Sequence, residues 1–290
     1  MEIAPNVYIK KLFFKLGTGE RLVVRHVYVA LIKGEKNCLI DTGTAGNFED
    51  IVDFCGECGV TIADLNFIIN THCHPDHIGA DALFKKSNPG IILCAHHLAV
   101  ANIADIETQH RQRPVPGFFN LISGSTNVDR FLDDNDSLDI GRELRILHTP
   151  GHSEDSISVF IPDEDVLIIG DSIPGKNDVP IYENLRMLKS SMLKLQKTEA
   201  RHVVSAFDGY CEGISNVVKG GEEYIDRVDA YVREFVQATN IDPKEMKKDG
   251  LLLNEMCTVV LEKMGFKNHP PLPIIVTSIK SHLIDQLSFQ

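Results

Sequence analysis

The sequence predicts an α+β protein in which helices cover β-sheets. Short apolar runs rich in β-branched residues recur along the chain, which is typical of buried strands. Segments with apolar residues at helical spacing separate these runs, so helices and strands alternate. The length of 290 residues is enough to bury a substantial core, and we expect one large domain with an appendage.

The predicted elements fall into two groups of strands, each accompanied by helices. Strands are predicted near residues 6–14, 23–33, 36–41, 66–70, 91–95, 143–148, 156–161, 165–170 and 202–206. Helices are predicted near residues 47–58, 77–86, 96–106 and 181–197. The polar stretch that contains Pro114, Pro116, Gly117 and Gly124 predicts an irregular insertion between the two groups.

After Gly220 and Gly221 the sequence changes character and predicts a helical C-terminal region. Apolar residues near helical spacing occupy residues 222–239, 251–264 and 274–287. We therefore divide the chain into a domain of residues 1–215 and a helical region of residues 216–290. Two interpretations of this region are equally well supported: a lid over the mouth of the functional site, and a scaffold or homodimer element.

The composition limits the partners and the compartment of the protein. The net charge of −12 disfavours a nucleic-acid partner, whose phosphates favour a basic face. No apolar run is long enough to cross a membrane, and seven scattered cysteines without a signal peptide favour the reducing cytoplasm. Cys55 and Cys58 have C-x-x-C spacing but no second pair, so packing of a helix is favoured over a redox or zinc motif.

Residues 71–79, Thr-His-Cys-His-Pro-Asp-His-Ile-Gly, indicate a metal centre. The residues that carry this interpretation are His72, His74, Asp76 and His77. Imidazole suits zinc and iron, and a carboxylate adds a hard, charged ligand. The alternative is a polar loop with solvated histidines. The position of the cluster directly after an apolar strand favours metal binding, with two metals rather than one.

The local sequence places the motif at a junction between a strand and a helix. Residues 65–70 form a short apolar run that predicts a buried strand, and Pro75 suits the beginning of a helix. His72 and His74 are two residues apart, so on an extended strand end their side chains point in the same direction. Asp76 and His77 lie in the first helical turn, so their side chains can reach a second position next to the one that His72 and His74 reach.

The pattern His72-Cys73-His74-Pro75-Asp76-His77 resembles the H-x-H-x-D-H motif of the metallo-β-lactamase-fold hydrolases. Three further segments match that family in its order along the chain: Asp41-Thr42-Gly43, Gly151-His152 and Gly170-Asp171. The resemblance covers about residues 1–215. It implies a four-layer αββα sandwich, followed here by a C-terminal helical extension.

The same resemblance implies two adjacent sites for divalent metal ions. The implied ligands are, at the first site, His72, His74 and His152, at the second, Asp76 and His77, and between the two, the bridging Asp171. Two adjacent cations can share one hydroxide and lower the pKa of its parent water, which gives a nucleophile at neutral pH.

The chain departs from the family after its last predicted core strand, where a histidine usually follows. Asp208 stands at that position and would complete the second site with a carboxylate. The opposing interpretation, a turn formed by Asp208 and Gly209, is equally well supported. Zinc is the expected metal, and an oxygen-rich second site would also suit iron or manganese.

Several other residues have competing interpretations. Asp41 could orient a ligand histidine or cap a turn, and the family resemblance favours the orienting role. Cys73 should point away from its two neighbours on a strand end, which favours a packed core thiol. His96 and His97 are expected at the surface or at a helix start. Structural roles are expected for His110, His148, His202, His269 and His282.

Together with the family resemblance, these residues predict a metal-dependent hydrolase. We expect a metal-bound hydroxide to attack an ester, thioester or lactone carbonyl of a small molecule, with Asp76 as a catalytic residue that handles protons. The substrate pocket is expected between residues 108–135 and the helical tail. Two alternatives stay open: an iron-dependent oxygenase similar to persulfide dioxygenases, and a binding or regulatory protein of low activity, which the missing last histidine favours.

Overall fold

The computed structural model describes residues 1–19, 22–176, 178–239, 241–267 and 269–287. Its strands are β1 (Glu2–Ala4), β2 (Val7–Leu16), β3 (Val23–Ile32), β4 (Asn37–Ile40), β5 (Leu65–Ile69), β6 (Ile92–Ala95), β7 (Arg130–Phe131), β8 (Ser137–Asp139), β9 (Glu143–His148), β10 (Ile157–Ile161), β11 (Val166–Gly170), β12 (His202–Ser205) and β13 (Gly209–Glu212). Its helices are α1 (Phe48–Glu57), α2 (Pro75–Ile78), α3 (Asp81–Ser87), α4 (Val100–Ala104), α5 (Ile106–Gln112), α6 (Phe118–Leu121), α7 (Leu185–Gln196), α8 (Ile214–Thr239), α9 (Pro243–Met246), α10 (Gly250–Lys263) and α11 (Pro273–Leu287).

The strands form two sheets. One contains β1 to β7 in chain order, with antiparallel pairing from β1 to β4 and parallel pairing from β4 to β7. The other runs in the order β13, β12, β11, β10, β9, β8, and its parallel pair is β11 with β12. Parallel neighbours need crossover connections, and helices such as α1 and α7 supply them.

The alternation of side chains along the strands creates three cores and four layers. In β4, Ile40 packs between the two sheets, whereas Leu39 points to the opposite face and packs with α1 and α3. In β11, Ile168 packs between the sheets, whereas Ile169 packs with α7 and α8. Each sheet therefore has one face against the other sheet and one face against helices. The predicted αββα sandwich is confirmed.

The continuous helix predicted for residues 77–86 was wrong, because α2 and α3 are separate and Gly79 lies between them. The Gly79 N–H donates to Gly43 O at 2.8 Å, and the Gly79 carbonyl accepts from Ser123 N at 2.7 Å. A Cβ at Gly79 would lie 2.3 Å from Leu121 O, so a neighbouring loop approaches the backbone directly. Long-range packing overrides the local helical pattern at this point.

The long helix α8 also differs from its prediction, because it begins at Ile214 rather than near residue 222. Gly220 and Gly221 lie inside the helix. A Cβ at Gly221 would lie 2.5 Å from Ile173 Cγ2, so the close approach of another segment requires glycine here. The boundary placed at residue 215 falls within this helix, and the division into a domain and a C-terminal region stays a prediction.

Four short strands had no counterpart in the sequence analysis: β1, β7, β8 and β13. They have two to four residues each, which is too short for a period-2 pattern to be recognised. Residues 108–135, which were expected to be irregular, contain the end of α5 together with α6 and β7.

The helix α8 packs on α7 and on β12 and β13 of the second sheet, α11 packs on α7 and α8, and α10 packs on α8 and α11. They share one core with strand residues such as Leu167 and Val203. An ion pair of 2.8 Å between Lys189 Nζ on α7 and Asp285 Oδ2 on α11 joins the helices at their surface. Among the described residues, no helix has both the length and the apolar composition needed to cross a lipid bilayer.

Candidate metal centre

The predicted ligands come together at one edge of the sandwich. The H-x-H-x-D-H motif begins in the loop after β5 and ends inside α2, which contains Asp76 and His77. Asp41 directly follows the neighbouring parallel strand β4. Asp171 directly follows β11, and His152 lies in the loop between β9 and β10. The N–H of Ile157 donates to Thr71 O at 2.8 Å and joins the two sheets at this edge.

Nitrogen atoms of three histidines converge on one point. His74 Nδ1 lies 2.8 Å from His72 Nε2 and 2.9 Å from His152 Nε2. A ring nitrogen offers one lone pair or one hydrogen in its plane, so His74 Nδ1 cannot satisfy both contacts as good hydrogen bonds. Asp171 Oδ2 lies 3.3 Å from His152 Nε2 and 3.8 Å from His72 Nε2. These four side chains surround a point with the donor types that a divalent cation binds.

Hydrogen bonds on the far side of two rings, one from each group of potential ligands, fix which nitrogen faces the cluster. His152 Nδ1 donates to Ile181 O at 2.8 Å, which leaves Nε2 with its lone pair directed at the cluster. His77 Nδ1 donates to Asp41 Oδ2 at 2.8 Å, and Asp41 Oδ1 accepts from Thr71 N at 2.7 Å. Asp41 has a φ of +62°, a conformation that aspartate tolerates better than most residues. It therefore lies where the orienting role requires it.

A second group of potential ligands adjoins the first. His77 Nε2 lies 3.5 Å from Asp171 Oδ1 and 4.0 Å from Asp76 Oδ2. Asp171 thus directs one oxygen toward each group, as a bridging ligand would. His77 Nε2 and Asp171 Oδ1 are buried and have no hydrogen-bond partner among the described residues. Buried polar atoms are normally paired, so these unpaired atoms fit a centre that holds cations.

The electrostatics of the cluster separate the two groups. Burial lowers the pKa of His72 and His74 well below 6.5 and that of His152 to about 4, so these rings are neutral at pH 7. Neutral imidazole is the form that binds metal ions. Burial opposes protonation of His77 as well, but the charges of nearby carboxylates, above all Asp171, raise its pKa well above the ordinary value. This acidic pocket therefore favours a positive charge, which a cation would supply.

The comparison with known families agrees with this geometry. Residues 22–204 match the family described as the metallo-beta-lactamase superfamily. The chain belongs to this superfamily. It is 30% identical over 190 residues to a probable metallo-hydrolase of Methanocaldococcus jannaschii, a match that covers 63% of this chain and 86% of the relative. Membership implies binding of divalent metal, and the donor set and its unpaired atoms fit such an ion.

Two solved structures share the superfamily fold along the whole chain. A metallo-beta-lactamase family protein from Thermus thermophilus matches with a TM-score of 0.72 at 20% identity, over 99% of this chain and 95% of that one. A beta-lactamase domain protein from Burkholderia ambifaria matches with a TM-score of 0.66 at 17% identity, over 100% of this chain and 88% of that one. The C-terminal helices are therefore part of the fold that these structures share.

Asp208, which replaces the histidine expected from the metallo-β-lactamase resemblance, lies in the connection between β12 and β13. Its amide contacts Ser205 Oγ at 3.5 Å, so the predicted turn is present. Burial and the charge of Asp178 raise the pKa of its carboxyl group. Among the described residues, the group of ligand atoms within 4.8 Å of one another does not include Asp208. A role as a ligand of the second site stays a prediction.

The other residues weighed in the sequence have distinct environments. Cys73 is buried, belongs to the core under the first sheet, and its amide donates to Asp155 Oδ2 at 2.7 Å, which agrees with a packed thiol. His97 is exposed and contacts Asp133. His96 begins the turn before α4, so the expected helix start is confirmed for this residue. It is buried, and its ring centroid lies 4.2 Å from that of His148, on which it stacks.

A cavity of about 400 Å³ reaches the centre through Cys73 and Ser153, which are sequence neighbours of candidate ligands. Among the described residues, its lining includes none of the candidate ligands themselves. Gln109 and Pro114 come from the 108–135 segment, and Ile274 and Thr277 come from α11. Cys73, which separates two candidate ligands, lines it as well. The C-terminal helix α11 therefore forms a wall of this cavity.

Arg113, which lines the cavity and approaches the histidines, was not identified from the sequence. Its Nη1 donates to Glu183 Oε1 at 2.6 Å, and its Nη2 is buried without a partner among the described residues. Its positive charge is one of the influences that lower the pKa of His74 after burial. No local pattern marks this residue, because its partner Glu183 is 70 positions away in the sequence.

Proposed function

We propose that the protein is a metal-dependent hydrolase that cleaves an ester, thioester or lactone carbonyl of a small molecule. The convergence of His72 Nε2 and His152 Nε2 on His74 Nδ1, at 2.8 and 2.9 Å, carries this proposal. The superfamily and its probable metallo-hydrolase relative support hydrolysis as the type of reaction. The carbonyl class is our inference from the water-activating chemistry of such centres.

The chain supplies residues that would hold the ions, and one of the second-site ligands, Asp76, would also transfer protons. His72, His74 and His152 would hold the first cation, and Asp171 would share its oxygens between this ion and a second one held with His77. Bound there, divalent cations lower the pKa of water and polarise a carbonyl group. Asp76 would accept or return the proton. Burial raises the pKa of this carboxyl group, which suits a residue that exchanges protons nearer to neutral pH.

The cavity beside the centre would hold the substrate. Its volume of about 400 Å³ fits the range of small-molecule sites. Apolar side chains such as Leu98 and Ile274 would contact the acyl portion, whereas Arg113 and Glu183 place charges on its wall. This mixed lining favours a substrate with both an apolar and a polar part.

Replacing His74 by alanine tests the proposal directly. We expect the variant to lose bound metal. It should hydrolyse a panel of esters, thioesters and lactones at least about 100-fold more slowly than the wild type, because loss of a ligand should cost at least as much as loss of a residue that only hydrogen-bonds to a ligand. The matched control is His269→Ala, since His269 is only half-buried and its Nδ1 bonds to the adjacent Pro270 carbonyl. Retained metal together with unchanged hydrolysis in the His74 variant would refute the proposal.

The metal itself separates the hydrolase from its main alternative. We expect zinc, because the first group consists of imidazoles with one carboxylate. The same donors also suit a single iron ion, which would favour the oxygenase hypothesis. Elemental analysis of protein isolated without added metal distinguishes the two: one equivalent of iron, combined with oxygen consumption and absent hydrolysis, would replace the hydrolase proposal.

A further inference from the structure

We propose that α11 is a positioning element of the metal centre: Ser278 and His282 fix the segment of residues 181–183, and this segment orients His152. The inference rests on the proposed function, because it treats His152 as a metal ligand. It assigns to the C-terminal helices a role that neither a lid nor a dimer contact provides.

The first link is the hydrogen bond that fixes the His152 ring. His152 Nδ1 donates to Ile181 O at 2.8 Å. The position of this carbonyl sets the rotation of the ring and therefore the direction of Nε2. Partners of this kind around metal-binding histidines typically change metal affinity by about 10–100-fold when they are lost.

The second link is a hydroxyl group that holds the next residue by both of its backbone groups. Tyr182 N donates to Ser278 Oγ at 2.8 Å, and Ser278 Oγ donates to Tyr182 O at 2.8 Å. Ser278 is fully buried on α11, so water cannot readily replace its hydroxyl. One side chain from the C-terminal helix thus fixes the peptide groups on both sides of Tyr182, including the group that contains the Ile181 carbonyl.

The third link anchors the Tyr182 side chain in the helical core. Its hydroxyl contacts His282 Nε2 on α11, and His282 Nδ1 faces Asp229 Oδ1 on α8 at 3.4 Å. Asp229 also accepts from Gln286 Nε2 at 2.8 Å. Because Asp229 is an acceptor, His282 donates through Nδ1 and accepts the tyrosine hydrogen at Nε2. Tyr182 and His282 are almost completely buried, so the position of Tyr182 depends on α11 and α8.

The same segment also holds the turn that carries His152. The backbone N–H groups of Glu183 and Asn184 donate to Gly151 O at 2.8 and 3.0 Å. Glu183 further binds Arg113 in the cavity wall. A shift of residues 181–183 would therefore move the His152 ring, the turn that carries it and the carboxylate of Glu183 together. A local packing contact would not have this combined effect.

Cobalt binding by Ser278→Ala tests the proposal without relying on turnover. We expect Co²⁺ to bind about 10-fold more weakly than in the wild type, the lower end of the range for outer partners, with a changed visible spectrum of the bound ion. Ser281→Ala is the matched control, since Ser281 lies on the same helix and its hydroxyl bonds within α11, to Ser278 O. This control should keep both the affinity and the spectrum.

A double substitution separates positioning from general destabilisation. In a His152→Ala background, Ser278→Ala should cause no further loss of Co²⁺ affinity, because the residue through which it acts is gone. An equal loss in both backgrounds would overturn the proposal. So would wild-type affinity and spectrum in Ser278→Ala.

Tyr182→Phe provides a second test if Ser278→Ala does not fold. This variant loses the contact with His282 and keeps both backbone bonds to Ser278, so a weaker loss of Co²⁺ affinity with the same direction of spectral change is expected. Unchanged binding in Tyr182→Phe would count against the proposal. Failure of wild-type protein to bind Co²⁺ at all would instead overturn the proposed function, which keeps the two failures distinguishable.

Discussion

The two halves of the candidate metal centre are held in different ways. The ligands of the half from the first sheet are close together in the sequence. The His77 ring of this half is fixed by the carboxylate of Asp41, which directly follows the neighbouring strand. The half from the second sheet consists of His152 and Asp171, and its ring is fixed by a backbone carbonyl at Ile181. In the first half, the ring is held by a side chain from the same sheet. In the second half, the ring is held by a loop carbonyl, and its orientation depends on how that loop is packed.

Because of this difference, residues that are distant in the sequence can influence the second half of the centre. The carboxylate of Asp41 is held close to the motif, because its backbone N–H donates to Ile69 O at 3.0 Å and its Oδ1 accepts from Thr71 N at 2.7 Å. The Ile181 carbonyl that holds the His152 ring can be displaced by any change that moves its loop, including changes on α11. The bond between Tyr182 and Ser278, for example, spans 96 positions. The second half should therefore be the more sensitive one to substitutions far from the ligands.

Gly151→Ala should give the largest effect and tests the packing of the second half. Gly151 has a φ of +137°, and a Cβ there would lie 2.4 Å from the backbone of Leu188 on α7. Strain and overlap should together lower the free energy of unfolding by about 3 kcal/mol and displace the adjacent His152. Urea denaturation combined with metal analysis would measure both effects.

Gly56→Ala is the control for this substitution. Gly56 lies in α1, and a Cβ there would meet no atom within 4 Å. Alanine should therefore raise stability by roughly 0.5–1 kcal/mol, because it is the better helix former. If Gly151→Ala were as harmless as this control, the loop that carries His152 would be free to move, and the contrast between the halves would disappear.

Asp41→Asn should give the next largest effect and acts on the first half. Asparagine tolerates the positive φ of this position, so the turn should be kept while the negative charge that accepts from His77 is lost. We expect metal affinity to fall by about 10–100-fold. The pKa of His77 should also decrease, because Asp41 is one of the carboxylates that raise it.

Metal titration and NMR titration of the histidine rings would measure these changes. Asp64→Asn is a suitable control, since Asp64 is exposed and bonds to Thr61, outside the motif. A variant of Asp41 that kept full affinity would mean that the first half is rigid without the Asp41 carboxylate, and that the two halves are not held in different ways.

The proximity of the candidate ligands in the first half could be predicted from the sequence because the information is local. Six consecutive positions carry four of the candidate ligands, and an apolar strand ahead of them fixes their direction. The layers of the fold follow from the same kind of signal, since alternating residues such as Leu39 and Ile40 pack into different cores. The resemblance then connected His152 and Asp171 to this motif, which spacing alone could not have done.

The parts that sequence reasoning missed depend on contacts between distant segments. The break at Gly79 arises from Gly43 and Ser123, which take its backbone hydrogen bonds. Arg113 gains its position from Glu183. The His152 ring is held by the backbone carbonyl of Ile181. Every residue type possesses a backbone carbonyl, so no residue pattern could have revealed this hydrogen bond.

Cys73→Ala should give the smallest effect and tests whether the first half has any ligand beyond the predicted ones. Burial, followed by the charge of Asp155, raises the pKa of the Cys73 thiol well above 9.0, so it should carry almost no thiolate at pH 8 and react slowly with alkylating reagents. We expect unchanged metal content and a loss of about 1 kcal/mol in the free energy of unfolding. Cys257→Ala is the matched control, because Cys257 is also buried but packs among the C-terminal helices. Loss of a metal equivalent from the Cys73 variant alone would show that the thiol is a ligand, and that the first half is more than histidines and carboxylates.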